Sequence, residues 1–306
     1  MYTENNRVVC YGEVLWDILP KGSKLGGAPM NVAYHLKTLG ESPVLVTRVG
    51  LDAHGKDLLG LMAGYGIGTD FFQIDGTRPT GKVFARFNGE KEMSYDIVFP
   101  SAWDFIHWEE TLTPLVQKAE YFVYGSLTSR SATSRDTLYR LLEAATTKVL
   151  DINLRPPHFN RAGLLYLLQH SDVLKMNSSE LDLLSDWFGK GYSGADRISY
   201  LQESFDIQTI IVTLGAEGAL LLDKGTFSQC GGFKVQVEDT IGSGDAFLAG
   251  FLHQMQTGAS AQQALVFASA LGALIASYAG GCPRYQRSEI TALIHSDSTT
   301  NIHAIS

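Results

Sequence analysis

Cysteine is scarce in this chain. Cys10, Cys230 and Cys282 are the only three among 306 residues. They lie far apart, with no Cys-x-x-Cys pair and no histidine at zinc-ligand spacing. A disulfide framework and a structural zinc site are therefore not expected, and the thiols read as buried or idle in a reducing, cytoplasmic setting. Basic charge is also short, with 24 Lys and Arg against 32 Asp and Glu, a net charge of −8. A nucleic-acid binder needs a basic face, so no such partner is expected. Residues 1–6 are polar and do not resemble a secretory leader. A membrane span is lacking too. Residues 246–283 contain no Lys, Arg, Asp or Glu, yet the densest part, 264–279, is diluted by Ser269, Gly272 and Ser277. A spanning helix wants about 20 strongly apolar residues. This stretch reads as a pair of buried helices.

What is present suits a globular enzyme. Hydrophobic residues make up 45% of the chain and charged ones 18%, which excludes disorder, coiled coil and collagen. Short aliphatic runs at 8–11, 44–49, 121–124, 148–152, 173–176, 209–213 and 219–222 predict strands, several of them apolar on both faces. Amphipathic segments at 29–39, 56–65, 134–146, 161–170, 179–187, 194–205, 244–255 and 261–278 predict helices. Such alternation implies an α/β fold with a doubly wound, mostly parallel central sheet flanked by helices. The stretch 80–97 breaks the rhythm: runs at 82–88 and 92–97 flank Asn88-Gly89, a hairpin signal and a plausible lid. The tail from Ser296 is polar and is expected to fray.

Two glycine-rich turns compete as phosphate sites. Gly50-Leu-Asp-Ala-His-Gly55-Lys56 fits the first seven places of a P-loop, but Asp57 stands where Ser or Thr should hold magnesium. With Asp52 inside the loop, two carboxylates would repel a polyphosphate, so a strand-ending turn is the better reading. The stronger candidate is Asp239-Thr-Ile-Gly242-Ser243-Gly244-Asp245, which opens a helix with Phe247, Leu248, Phe251, Leu252 and Met255 at helical spacing. Small residues there let backbone N–H groups converge, and the helix dipole favours an anion. Asp245 would repel a resting phosphate, but it suits accepting a proton from an attacking hydroxyl; capping the helix is the alternative. A second glycine pair, Gly26-Gly27, precedes a helix with Pro29 in its first turn and Asn31 beyond it. Asn31 and Asp17 suit hydrogen bonds to sugar hydroxyls, although taken alone each is more often a cap or a turn.

Together these segments resemble the paired signatures of the ribokinase-like (PfkB) carbohydrate kinases: Gly-Gly, Asn31, Ala33, Gly40 and Gly50 first, then Asp239 to Asp245 followed by Ala249-Gly250. The resemblance spans nearly the whole chain. It implies a single kinase domain over residues 1–306, with a small β lid formed by about 12–20 and 80–100. It makes Asp245 the catalytic base and Gly242, Ser243 and Gly244 an anion hole. Asp17, Gly26, Gly27, Asn31, Tyr95 and Arg155 would bind the sugar. Lys175-Met-Asn177-Ser-Ser-Glu180 is similar to the family's Asn-x-x-Glu element, placing Lys175 and Asn177 near the nucleotide and Glu180 near the hydration shell of Mg²⁺. Thr213, Gly215 and Gly218 would line the ATP site, and Asp239, Ile241 and Gly281 a monovalent-cation site, potassium for instance. The partners implied are a sugar and ATP, with a homodimer through the lid by analogy.

The segment Gly12-Glu-Val-Leu-Trp-Asp17 followed by Gly-Gly-Ala-Pro-Met-Asn most resembles the fructokinase branch. The 2-keto-3-deoxygluconate kinases resemble a Tyr-Tyr-Arg strand in the lid, whereas Ser94-Tyr95-Asp96-Ile97 stands here, and an aspartate would repel an acid. The expectation is ATP-dependent phosphorylation of D-fructose to fructose 6-phosphate. A 2-keto-3-deoxygluconate kinase and a non-catalytic sugar-binding protein on the same fold remain open.

Overall fold

The computed structural model describes residues 7–19, 22–87, 93–189, 191, 194–296 and 303–304, the side chains of 85–87, 93–95 and 303–304 excepted. The chain begins with β1 (Val8–Tyr11), β2 (Leu15–Leu19), β3 (Gly22–Gly26), α1 (Ala28–Thr38), β4 (Val44–Gly50), α2 (Ala53–Gly64) and β5 (Phe72–Asp75). It continues through β6 (Gly81–Phe87), β7 (Met93–Ile97), α3 (Leu112–Lys118), β8 (Tyr121–Gly125), α4 (Ala132–Ala144), β9 (Lys148–Asp151) and α5 (Arg161–Gln169). Next come β10 (Val173–Asn177), α6 (Ser178–Phe188), α7 (Asp196–Phe205), β11 (Thr209–Thr213), β12 (Ala219–Asp223) and β13 (Thr226–Cys230). The last elements are α8 (Ser243–Gln256), α9 (Ala261–Ala276), α10 (Arg287–Ser296) and β14 (His303–Ala304).

Ten strands form one sheet in the order β14-β13-β12-β11-β10-β9-β8-β1-β4-β5. The run from β11 to β5 is parallel, and β12 to β14 join it antiparallel. Alternation along β1 shows why both faces are covered: Val8 and Cys10 enter one hydrophobic core, Val9 and Tyr11 the other. The first core packs beneath α1, α8 and α9, the second beneath α4 to α7. β1 lies between β4 and β8, where the winding of the chain reverses. Ligand crevices of open α/β sheets form at such reversals, outside the carboxyl ends of the strands.

Each strand and helix expected from periodicity is present, with ends shifted by a few residues. The segments expected to form the lid, about 12–20 and 80–100, contain β2 and β6–β7, while β3, β5, β13, β14, α3 and α10 were not anticipated. β2, β3 and β6–β7 form a separate four-stranded sheet, order β3-β2-β6-β7. β3 reads Gly-Ser-Lys-Leu-Gly, with no β-branched residue; pairing with β2 from Leu15↔Gly26 to Leu19↔Gly22 makes it a strand. Short β5 and helices α3 and α10 likewise had no period strong enough to read. The hairpin signal holds as antiparallel pairing of β6 with β7, while the Asn88-Gly89 turn and most of the tail after Ser296 lie outside the described residues. The P-loop look-alike is a turn: Asp52 caps α2 through Gly55 N at 2.8 Å and accepts from Thr80 Oγ1 at 2.7 Å. Helices α8 and α9 pack in the core, and no described helix is long and apolar enough to cross a membrane.

Candidate active site

A cavity of about 580 Å³ opens at the carboxyl ends of the parallel strands, roofed by the small sheet. Glu13 beyond β1, Asn31 from α1, Asp151 at the end of β9, Lys175 and Asn177 from β10, and Asp245 from α8 all face it. Leu15, Val83 and Ile97 reach it from the small sheet.

Asp245 lies in the first turn of α8, whose N-cap is Gly242 at φ 75°, with no side chain capping that end. Only glycine fits there, since an added Cβ would lie 2.5 Å from Gly281 Cα. The first N–H groups of a helix have no intrahelical acceptor. Ser243 N turns back to Thr240 O at 3.3 Å, so Gly244 and Asp245 present the free amides. Burial and the nearby Asp151 carboxylate push the Asp245 carboxyl up to about 6, against the opposing effects of Asn31, Lys175 and Arg155. Asn31 Nδ2 donates to Asp245 Oδ2 at 2.7 Å.

Lys175 is buried and pairs with Asp151, Nζ to Oδ2, at 2.8 Å. Burial opposes its charge, but Asp151, Asp245 and Glu180 outweigh that and raise its pKa. The ammonium lies 3.3 Å from where a Cβ on Gly244 would be, at the mouth of the α8 terminus. Asn177 and Glu180 form the capping box of α6: Asn177 Oδ1 accepts from Glu180 N at 2.9 Å, and Glu180 Oε2 from Asn177 N at 2.8 Å. Glu180 Oε1 also accepts from Leu154 N at 2.7 Å, and burial raises its pKa.

Asp17 lies on β2 above the cavity. Burial raises its carboxyl to about 6, with Asp239 adding to the rise and Arg155 and Lys24 opposing it. Gly26 does not line the cavity; it leaves room for Asp17, whose Oδ2 would meet an added Cβ at 2.3 Å. Gly27 does line it, at φ 115° and with Glu13 O just 2.4 Å from the same notional atom. Arg155 lines the cavity, donates to Leu154 O at 3.0 Å and has no ion-pair partner among the described residues. Tyr95 is on β7 opposite Ala85, but its side chain lies outside the described residues. Sequence reasoning passed over Glu13, which is buried and accepts from Ala28 N at 3.2 Å and Thr128 Oγ1 at 3.2 Å. Burial pushes its carboxyl up to about 7. A glutamate two residues beyond a fully buried strand, after Gly12, was the available signal. Asp151 and Asn153, four and two residues before Arg155, carried no signal of their own, yet both line the cavity.

A second cavity of about 580 Å³ adjoins the first, and Thr213, Thr240, Ser243 and Gly244 line both. Gly215 and Gly218 lie on it, with Phe233, Val235 and Phe247 making an apolar wall. Asp239 lines neither cavity: its carboxylate accepts from Ile241 N and Gly280 N, each at 3.0 Å, and lies 3.5 Å from Lys24 Nζ. Gly281 O accepts from His35 Nε2 at 2.9 Å. Asp239 and Gly281 O thus have internal donors, whereas Ile241 is itself one of those donors and lines the first cavity. A third cavity, about 590 Å³, is lined by Arg130, Arg135 and Tyr139 among others, shares no residue with these two and contains no carboxylate.

Two adjoining cavities meeting at a helix terminus beside an acid are what phosphoryl transfer between two substrates requires. Comparison with known proteins agrees. The chain is 30% identical to probable fructokinase-6 of Arabidopsis thaliana over 311 residues, covering 92% of this chain and 80% of that protein. It is also 30% identical to the fructokinase of Escherichia coli, covering 80% and 83%. The crystal structure of a Xylella fastidiosa fructokinase with bound ATP superposes with a TM-score of 0.85 at 25% identity, over 96% of this chain and 99% of that one. The model of the pfkB family carbohydrate kinases matches residues 7–286. The chain belongs to that family.

Proposed function

We propose that this kinase transfers the γ-phosphoryl group of ATP to D-fructose, giving fructose 6-phosphate. The observation that carries this reading is the position of Asp245, between a polar cavity for the sugar and the residues shared with the nucleotide cavity. The sugar lies beneath Asp17, Gly27 and Arg155, with its acceptor hydroxyl at Asp245. The apolar wall of Phe233, Val235 and Phe247 takes the base, which leaves the phosphates at Gly244 and Lys175. Asp245 accepts the hydroxyl proton, while the free amides of α8 and the Lys175 ammonium stabilise charge on the transferring group. Asp151 holds that ammonium in place.

No group of three or more His, Cys, Asp or Glu side chains converges as a metal cage among the described residues. That suits Mg²⁺, which keeps several waters and is held chiefly by substrate phosphates. Glu180 fits its hydration shell: both carboxylate oxygens are fixed by backbone N–H groups, with lone pairs left toward the cavity. The ion would supply charge neutralisation at the phosphates. The four-stranded sheet acts as the lid, excluding water so that ATP is not hydrolysed. Its terminal strands β3 and β7 are the edges where a second copy would pair.

The Arg155 guanidinium, which has no ion-pair partner among the described residues, favours a second reading, an acid sugar such as 2-keto-3-deoxygluconate. Coupled ADP release across a panel holding both sugars separates the two. Fructose should give the highest kcat/KM, and a flat response to every sugar would remove the kinase reading altogether. Asp245→Asn should lose at least ~10²-fold in turnover, the low end for a positioned general base.

A further inference from the structure

Asn31 touches two groups at once. Its Nδ2 donates to Asp245 Oδ2 at 2.7 Å, and its Oδ1 accepts from the Cys282 thiol at 3.3 Å. Chemistry fixes that orientation from both ends. An ionised carboxylate only accepts, so the amide must turn its NH₂ toward Asp245, and the oxygen left behind needs a donor. Cys282 supplies one, since burial holds its thiol protonated. The loop bearing Cys282 is anchored to α1, the helix that carries Asn31. Tyr34 OH donates to Pro283 O at 2.8 Å, His35 Nε2 bonds Gly281 O at 2.9 Å, and His35 Nδ1 meets Tyr285 OH at 3.1 Å.

Resting on the reading of Asp245 as base, we infer that Cys282 is a positioning residue: its thiol locks the Asn31 amide, which in turn holds one oxygen of Asp245 and leaves the other for the sugar hydroxyl. A flipped amide would set oxygen against carboxylate and leave the thiol without an acceptor. Thiol hydrogen bonds are weak, so Cys282 adjusts the base through Asn31 while Asn31 carries most of the effect.

The relay has a pH signature. Asp245 faces Asp151 from β9, Lys175 from β10, Arg155 beyond β9, Glu13 beyond β1 and Cys282 from the loop before α10. Among the described residues only Asn31 hydrogen-bonds the carboxylate directly, and that bond favours its charged form. Loosening it raises the pKa, so the acid limb of kcat/KM moves to higher pH. The experiment compares wild type, N31A, C282A, C282S and D245N from about pH 5 to 8, the range that brackets a base of this kind. Thermal melting of each variant reports folding separately. N31A should move the limb upward by about one unit, the size of a lost bond to a charged group. C282A should move it the same way by a few tenths, with a loss of about two- to three-fold at most on the acid side of the limb. C282S, whose hydroxyl donates to the same oxygen, should return the limb toward its wild-type position. A C282A limb that stays put overturns the inference, whether turnover is unchanged or falls equally at every pH. So does an N31A variant that raises only the sugar KM. Full activity in D245N would instead remove the base itself, a distinct failure.

Discussion

Asp245, Asp17 and Glu13 share an environment that makes carboxyl groups reluctant to ionise. Asp245 and Asp17 both rise to about 6, chiefly through burial. A general base works only when deprotonated, so kcat/KM should be level above about pH 7 and fall as pH drops through 6. Because two carboxyls titrate there, the limb gives apparent values for the set, and Asp17→Asn should leave a single, simpler limb in a pH–rate profile. Glu13 tests the same environment through stability. Its pKa is raised from 4.5 to about 7 in the folded state, so the folded protein holds this proton while the unfolded chain releases it. That contribution is present below pH 4.5 and is lost as pH rises through 7. Relative to wild type, E13Q should therefore gain about 3 kcal/mol between pH 4 and 8 in denaturant unfolding, with most of the change between 4.5 and 7. A constant difference would show that Glu13 ionises freely. The sequence displayed Asp245 openly, because glycines before an acid at a helix start form a local pattern. Glu13 was hidden, since what perturbs it is burial by α1 and Thr128, distant in sequence.

At the level of elements, two helix starts face the proposed sugar and phosphate sites. α1 and α8 begin at Gly27 and Gly242, both at positive φ and without an N-cap side chain; Glu13 takes Ala28 N at α1, whereas at α8 the amides of Gly244 and Asp245 stay open to a ligand. By contrast α2, α6 and α9 are capped by Asp52, Asn177 and Ser260 and are closed to anions. The contrast gives a prediction. Gly242→Ala strains the left-handed turn and drives a Cβ into Gly281, displacing the amides of Gly244 and Asp245. Turnover should fall ~10-fold or more while the circular dichroism spectrum is retained, in line with the loss of one preorganised donor. Helices α1 and α8 were legible in the sequence because their apolar residues recur at helical spacing. Strands β2 and β3 were not, because their stability comes from pairing with each other and of β2 with β6, which no local pattern records.

For the whole molecule, a net charge of −8 and a phosphate site have to coexist. In the proposed reading they do so because the site relies on backbone amides and one buried lysine paired with Asp151, with no basic surface involved. The two cavities are joined by Thr213, Thr240, Ser243 and Gly244, which line both. If the small sheet closes over them, hydrogen–deuterium exchange in β2 and β6 should slow when fructose and a non-hydrolysable ATP analogue are both present. Exchange in β9 and β10, already central in the sheet, should stay the same; no change in β2 and β6 would remove the lid role. The sequence by itself determined the alternating elements, the two glycine-rich turns and the acid beside the second, since each is a pattern within a few neighbouring residues. Only the tertiary structure decided that Asn31 bonds Asp245 across 214 positions, that Cys282 stands behind it, and that Asp151 neutralises Lys175. Those contacts depend on where the ends of separate strands and helices converge, and chain spacing holds no record of that.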